Sequence, residues 1–261
     1  MKISFIIANY NGRGLLADCL DSVYASRGGF EKEIIVVDDA STDDSRSLID
    51  SYKDSSSGLV WIQNETNAGY AATTNRGAAA ATGDYLFLLN NDVRLYPDTA
   101  EKLAAFLEAR ADAGAAAPLL YYPDGRLQIS CRRFPTPAAL ILEKLRIKNA
   151  PGRFRGWKLL PQEHTNGGVV AQPMASALLI KRRCWEEVGP LDEDFPIFFN
   201  DVDWCYRLYK NTRLAIHLLT DAGAVHHEGA TVNRMGYKKK IVFYKGLFKF
   251  YLKHFPFKQP R

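Results

Sequence analysis

Tyr85-Leu86-Phe87-Leu88-Leu89-Asn90-Asn91-Asp92 is an apolar run that empties abruptly into three polar side chains. The run is too short for a stable helix and carries no period, so it predicts a buried strand. Upstream, Ile3 to Ala8, Ile34 to Val37 and Leu59 to Gln63 have the same character. Helical patterns separate them. Leu15, Leu16, Cys19, Leu20, Val23 and Tyr24 recur on one face, with Gly28-Gly29 as the stop. Ser41 and Asp44 are spaced as a capping box for a second helix, and Gly69 to Ala81 is an alanine-rich third helix ended by Gly83. Strand alternating with helix predicts an α/β fold, a mostly parallel central sheet flanked by helices. Ligands bind such sheets beyond the carboxyl ends of the strands, where Asp38-Asp39 and Asn90-Asn91-Asp92 both fall.

Beyond Pro97 a helix is expected from Thr99 to Ala111 and a tight turn at Pro123-Asp124-Gly125-Arg126. Residues 131–170 are rich in Pro, Gly and Arg and predict loops. A strand (Ala177 to Lys181), a short helix (Arg183 to Val188) stopped by Gly189-Pro190, and a helix capped by Asn200 and reaching about Asn211 complete the pattern. Three segments follow: 1–93, 94–228, and 229–261 as a basic amphipathic tail.

At 261 residues with 47% hydrophobic and 24% charged content, the chain can bury a full core. No run reaches the roughly 18 apolar residues of a membrane span. The apolar start is broken by Asn9-Tyr10-Asn11-Gly12, as a first strand rather than a signal peptide would be. Four cysteines without a C-x-x-C pair argue against a zinc ribbon or disulfide framework and fit a reducing compartment.

Several acids could carry chemistry, each with a plainer alternative. Asp38 and Asp39 are either turn and capping residues or acceptors for a base or ribose. Asp92 is either the Asx turn that ends its strand or an oxygen ligand for a hard cation on a diphosphate. Asp201 and Asp203 lie in the first turn of a helix, where the dipole favours acids; Asp201, nearest the loop, is the better candidate for a general base. His226 and His227, in a His-His-Glu-Gly turn, are candidates for a ligand or substrate contact. No G-x-G-x-x-G or Walker sequence is present, which removes support for a dinucleotide-binding or P-loop protein.

The chain resembles the family 2 glycosyltransferases, within them the rhamnosyltransferase-like branch of cell-envelope polysaccharide synthesis. The resemblance lies in Phe5 to Gly12, Val36 to Asp43, Asn67-Ala68-Gly69-Tyr70-Ala71, Leu88 to Asp92, Pro123-Asp124-Gly125, Phe198 to Arg207 and Val225-His226-His227, in that order. It implies a GT-A fold, with 1–93 as a donor-binding half and 94–228 as an acceptor-binding and catalytic half, and inverting transfer from a nucleoside-diphosphate sugar, dTDP-rhamnose first and a UDP-hexose second. It implies Ala8, Asn9, Asp38, Asp39, Asn67, Gly69 and Asn91 as donor-binding residues, and Asp92 with His226 as holders of Mg2+ or Mn2+. Asp201 would be the base, and Asn200, Asp203 and His227 would meet the acceptor. The acceptor expected is a polyprenyl-diphosphate-linked saccharide. The family's usual Glu-Asp reads Asn200-Asp201 here, and its Asp-Trp reads Gln172-Pro173. A sugar nucleotidyltransferase would need a basic glycine-rich loop that Asn9-Tyr10-Asn11-Gly12 does not supply; a non-catalytic nucleotide-sugar binder is the other rival.

After Glu228 come nine basic residues and no acid, more than the whole chain's net charge of +5, so the basicity belongs to the tail. Ile241, Tyr244, Phe248, Leu252 and Phe255 share one helical face, with Lys245, Lys249 and Lys253 adjacent. This is either a packing helix with a solvated side or an attachment to an anionic membrane, the second favoured by Phe243 and Phe250 lying off the stripe. The location expected is peripheral, at the cytoplasmic face of the cell membrane, with no nucleic-acid partner.

Overall fold

The computed structural model describes residues 1–53, 58–145, 157, 159, 161–229 and 236–255. Its first half runs β1 (Lys2–Asn9), α1 (Arg13–Tyr24), β2 (Glu31–Asp38), α2 (Ser45–Lys53), β3 (Leu59–Gln63), α3 (Tyr70–Ala80), β4 (Tyr85–Asn90) and β5 (Val93–Leu95). Next come α4 (Thr99–Ala109), β6 (Ala113–Tyr121), β7 (Leu127–Gln128), β8 (Cys131–Arg132), α5 (Pro137–Lys144), α6 (Pro161–Asn166), β9 (Gly168–Val170) and β10 (Gln172–Pro173). The last elements are β11 (Ala177–Lys181), α7 (Arg182–Val188), α8 (Asn200–Asn211), β12 (Ala215–His226) and α9 (Lys238–His254).

One sheet, in the order β3-β2-β1-β4-β11-β6-β12-β5, runs through both expected halves, with β7 and β9 added at its side. The first four strands are parallel, as are β6 and β12; β11 lies antiparallel between the two groups. Alternate side chains feed two cores, which is why the strands read as unbroken apolar runs. Phe5, Phe87 and Leu89 meet α1 and α4, while Ile6, Leu86 and Leu88 meet α3, α7 and α8. At Gly77 a Cβ would lie 2.5 Å from Ile6 Cγ2, so only glycine lets α3 approach β1 this closely.

Three local expectations are corrected. Helix α1 stops at Tyr24, before the glycines, because Ser26 bonds back to Ser22 and the Arg27 amide is drawn to Pro97 O at 2.6 Å. Ser41 does not cap α2; Asp43 does that work, accepting from the Ser45 amide at 3.1 Å and hydroxyl at 2.5 Å. The region 131–170 contains two helices, α5 and α6, although part of it lies outside the described residues.

Helix α9 docks on α8 and the loop before it. Phe250, 0% exposed, packs with Phe195, Phe199 and Val202, and Phe243 and Leu247 close the cluster. Gly246 makes the approach possible, since a Cβ there would lie 2.8 Å from Phe199 Cδ2. Phe243 and Phe250, which the sequence pattern assigns to membrane contact, are thus the docking face. Most of the stripe stays exposed, with Tyr244 66% and Phe248 64% accessible, while Phe255 at its end turns in against Tyr206 and Phe250. Arg234, Lys258 and Arg261 lie outside the described residues.

Candidate active site

The site is built where β1, β2 and β4 end. Asn9 is the knot: its Nδ2 donates to Asp38 Oδ2 at 2.8 Å and Ser45 Oγ at 3.0 Å, and its Oδ1 accepts from Asn91 Nδ2 at 2.7 Å. Asp38 Oδ1 takes the Ser41 amide at 2.8 Å. Asn9, Asp38 and Asn91 are therefore buried and linked through Asn9 into one hydrogen-bonded cluster at the strand ends. Gly12 is required above them, because a Cβ would come within 1.9 Å of Asn91 Nδ2. Ala8 is half-buried beside Asn9.

Asp39 turns the other way. It accepts from the Ala68 amide at 2.8 Å, the Gly69 amide at 2.9 Å and Asn64 Nδ2 at 2.9 Å, so it pins the chain entering α3. Gly69, at φ 87°, would place a Cβ 2.8 Å from Pro196, which brings the loop before α8 against the start of α3. Asn67 is exposed on the same segment.

The sheet register brings Asp92 and His226 together. His226 pairs with Val93 across β12 and β5, and the His227 amide donates to Asp92 O at 3.1 Å. Asp92 Oδ1 and His226 Nε2 face each other at 3.3 Å, both buried and both without a hydrogen-bond partner. His226 Nδ1 lies 2.8 Å from Gln128 Oε1, which leaves Nε2 as the ring atom turned toward Asp92. A buried carboxylate oxygen and a buried imidazole nitrogen, both without a hydrogen-bond partner, fit a divalent cation, Mn2+ better than the oxygen-seeking Mg2+. Among the described residues no group of three or more His, Cys, Asp or Glu could hold a metal alone. The side chain of His227 is exposed.

Asp201 reaches the same place from the other side. Residue Ala177 pairs with Leu89, and the Asn90 amide donates to Ser176 O at 3.0 Å, so the segment before β11 lies over the end of β4. The Ala175 amide donates to Asp201, Val202 N donates to Asp201 Oδ1 at 2.8 Å, and Gln172 Nε2 donates to Oδ2 at 3.1 Å. Burial nevertheless raises the Asp201 pKa; those amides and nearby Arg132 pull the other way. The Tyr70 hydroxyl donates to Ala175 O at 3.0 Å, fastening the start of α3 to the segment that holds Asp201. The phenol is pushed up first by burial and then by the charges of both Asp201 and Asp92.

Two expected acceptor residues are placed elsewhere. Asn200 is no cap; Phe199, at φ 72°, precedes the helix, and Asn200 Nδ2 ties back to Phe195 O at 3.1 Å and Ile197 O at 2.9 Å. Asp203 is fully buried against α9, bonded by Arg207 Nε at 2.8 Å, Lys253 Nζ at 2.7 Å and His254 Nε2 at 2.7 Å. Burial alone would raise its pKa, but those three donors hold it at about 2. Asp203 anchors the C-terminal helix instead of facing an acceptor. Gln128 and Tyr70 also belong to the site; Tyr70 lies in the Asn67–Ala71 stretch that carries the family resemblance, while Gln128 carries no local sequence signal.

A model of the family described as "Glycosyl transferase family 2" matches residues 4–168. An N-acetylglucosaminyl-diphospho-decaprenol L-rhamnosyltransferase of Mycobacterium tuberculosis is 27% identical over 187 residues, covering 64% of this chain and 58% of that protein. A mannosyltransferase of Pyrobaculum calidifontis, solved with GDP-Man and Mn2+, superposes with a TM-score of 0.68 at 16% identity, covering 99% of this chain and 65% of that one. TarS of S. aureus, solved with UDP, gives 0.61 at 19% identity, covering 86% and 60%. The chain spans less than two thirds of each of these proteins.

Proposed function

The chain belongs to glycosyl transferase family 2, and on that premise we propose an inverting, metal-dependent transfer of a sugar from a nucleoside diphosphate to a lipid-linked saccharide. The observation that supports this best is the strand register that lays the segment before β11, whose Ala175 amide bonds Asp201, over the end of β4, next to which Asp92 faces the orphaned Nε2 of His226. The acceptor hydroxyl attacks the anomeric carbon as that carbon's bond to the diphosphate oxygen breaks; the hydroxyl proton passes to Asp201, and the diphosphate departs with the electron pair. Asp92 and His226 would hold Mg2+ or Mn2+, which when bound neutralises charge on the leaving diphosphate. Asn9, Asp38 and Asn91 shape the floor on which the nucleoside rests. Asn67, Gly69 and Ala8 border it, and His227 stands on the acceptor side.

The 27% identical relative supports L-rhamnose as the sugar moved and a polyprenyl-diphosphate-linked saccharide as the acceptor; the donor proposed to supply it is dTDP-rhamnose. A membrane location fits helix α9, which has three faces. Phe243, Leu247, Phe250 and His254 dock; Tyr237, Ile241, Tyr244, Phe248 and Leu252 are exposed; Lys238, Lys245 and Lys249 flank the exposed stripe. Aromatic residues bordered by lysines suit an anionic bilayer, at the cytoplasmic side where such lipids face. No helix among the described residues is long and apolar enough to cross a membrane.

The test is Asp201→Asn, assayed with a panel of dTDP- and UDP-sugars and a polyprenyl-diphosphate saccharide. Transfer should vanish while nucleotide-sugar binding, followed by thermal shift with Mn2+, persists. Transfer retained by the variant would remove Asp201 from the base role.

A further inference from the structure

Gln172 lies on the two-residue strand β10, registered opposite Arg132 of β8, in a pairing separate from the main sheet. It is buried, at 1% exposure, yet it is not an apolar residue filling space. Its Nε2 gives one hydrogen to Pro173 O at 3.1 Å and the other to Asp201 Oδ2 at 3.1 Å. Both partners are pure acceptors, so the amide nitrogen must occupy this position, since the flipped oxygen would meet two oxygens. The Oε1 atom is left buried with no partner. A buried amide that leaves its oxygen unsatisfied in order to aim its nitrogen costs stability, and what it secures is the orientation of one carboxylate.

We propose that Gln172 is a positioning residue for Asp201, its amide N–H holding Oδ2 of the ionised carboxylate in place to receive the acceptor's proton. The inference rests on the reading of Asp201 as the base. The bidentate surroundings agree: backbone donors from Val202 and Ala175 hold the carboxylate on the α8 and β11 sides, and Gln172 holds it on the β10 side. The charged and titratable neighbours are Arg132 from β8, which favours the ionised form, Tyr70 from α3, and Cys205 one turn along α8, whose thiol burial and Asp201 itself push upward. An acidic side chain at 172, as the family's usual Asp-Trp supplies, would set a second carboxyl against the base. This chain uses a neutral donor there.

The experiment reads Asp201 directly and needs no knowledge of the donor. Protein labelled with 13C at the aspartate carboxyls is titrated by NMR, the Asp201 signal being identified by its loss in Asp201→Asn. Gln172→Met, which deletes the donor at similar volume, should raise the Asp201 midpoint by about one pH unit, a tenfold change in ionisation. Gln172→Glu should raise it further, because a second negative charge opposes the first. Mn2+-dependent binding of UDP and dTDP, followed by thermal shift, should stay within twofold of wild type in both variants. This also reports that they fold. An Asp201 midpoint unmoved in both variants would overturn the proposal while leaving the base assignment to the transfer assay of Asp201→Asn. Transfer surviving in Asp201→Asn with the midpoint displaced would keep the pair and overturn its catalytic meaning.

Discussion

Replacing Asp203 by Asn should weaken the protein by an amount that depends on pH in a defined direction. The Asp203 carboxylate is fully buried and held by Arg207, Lys253 and His254, the last two from the C-terminal helix. These donors lower its pKa from 3.8 to about 2. A depressed carboxylate contributes stability that is complete above its unfolded value and is lost as pH falls through the folded one. The displacement corresponds to about 2 kcal/mol at neutral pH, of which about 1 kcal/mol is gone by pH 3. The variant also takes the carboxylate from Arg207 and His254, although Lys253 keeps Asp192 at 2.6 Å, so the total deficit at pH 7 should be about 3 kcal/mol. Urea unfolding of wild type and Asp203→Asn at pH 7, 5, 4 and 3 measures this, because other carboxylates cancel in the difference. The gap should be constant from pH 7 to 5 and then narrow by about 1 kcal/mol at pH 3. A gap that stays flat, or widens with acid, would refute the ion cluster as the anchor of α9.

Phe250→Ala should destabilise the protein by about 3 kcal/mol, since a fully buried ring leaves a cavity between α9 and α8; limited proteolysis should release the tail first. Gly12→Ala drives a methyl into Asn91 and should cost about 1–3 kcal/mol and weaken nucleotide binding, read by thermal shift with and without UDP. The acid limb of the transfer rate should lie above the ordinary carboxylate range, because burial raises Asp201 and the base must be ionised to act; a limb at or below that range would contradict this.

The strands of the first half were legible because each is buried on both faces, and a short unbroken apolar run between helical patterns fits little besides a covered strand. Their ends were legible for the same reason: Asp38, Asn91 and Asp92 follow directly from where such a run stops. What was hidden depended on partners distant in sequence. Asp203 looked like Asp201, two residues away on the same turn; only the arrival of Lys253 and His254 from α9 separates anchor from candidate base. The tail carries two apolar arcs, and a single periodicity cannot say which one docks. Phe243 and Phe250 were the arc that does, because Gly246 opens that face to Phe199. Capping was misplaced at Ser41 and Asn200 because other groups claimed both side chains: the distant Asn11 amide takes the Ser41 hydroxyl, and the Phe195 and Ile197 carbonyls of the preceding loop take the Asn200 amide. Gln172 stood out in sequence as a departure, and its role became visible only with Asp201 beside it.

The most direct test of the two-acid site is Mn2+ titration by electron paramagnetic resonance in the presence of UDP or dTDP. Wild type should bind one Mn2+ together with the nucleotide; Asp92→Ala and His226→Ala should each weaken that binding at least tenfold; Asp201→Asn should bind as wild type does and yet transfer no sugar. Unchanged Mn2+ binding in Asp92→Ala, or sugar transfer by Asp201→Asn, would contradict the account.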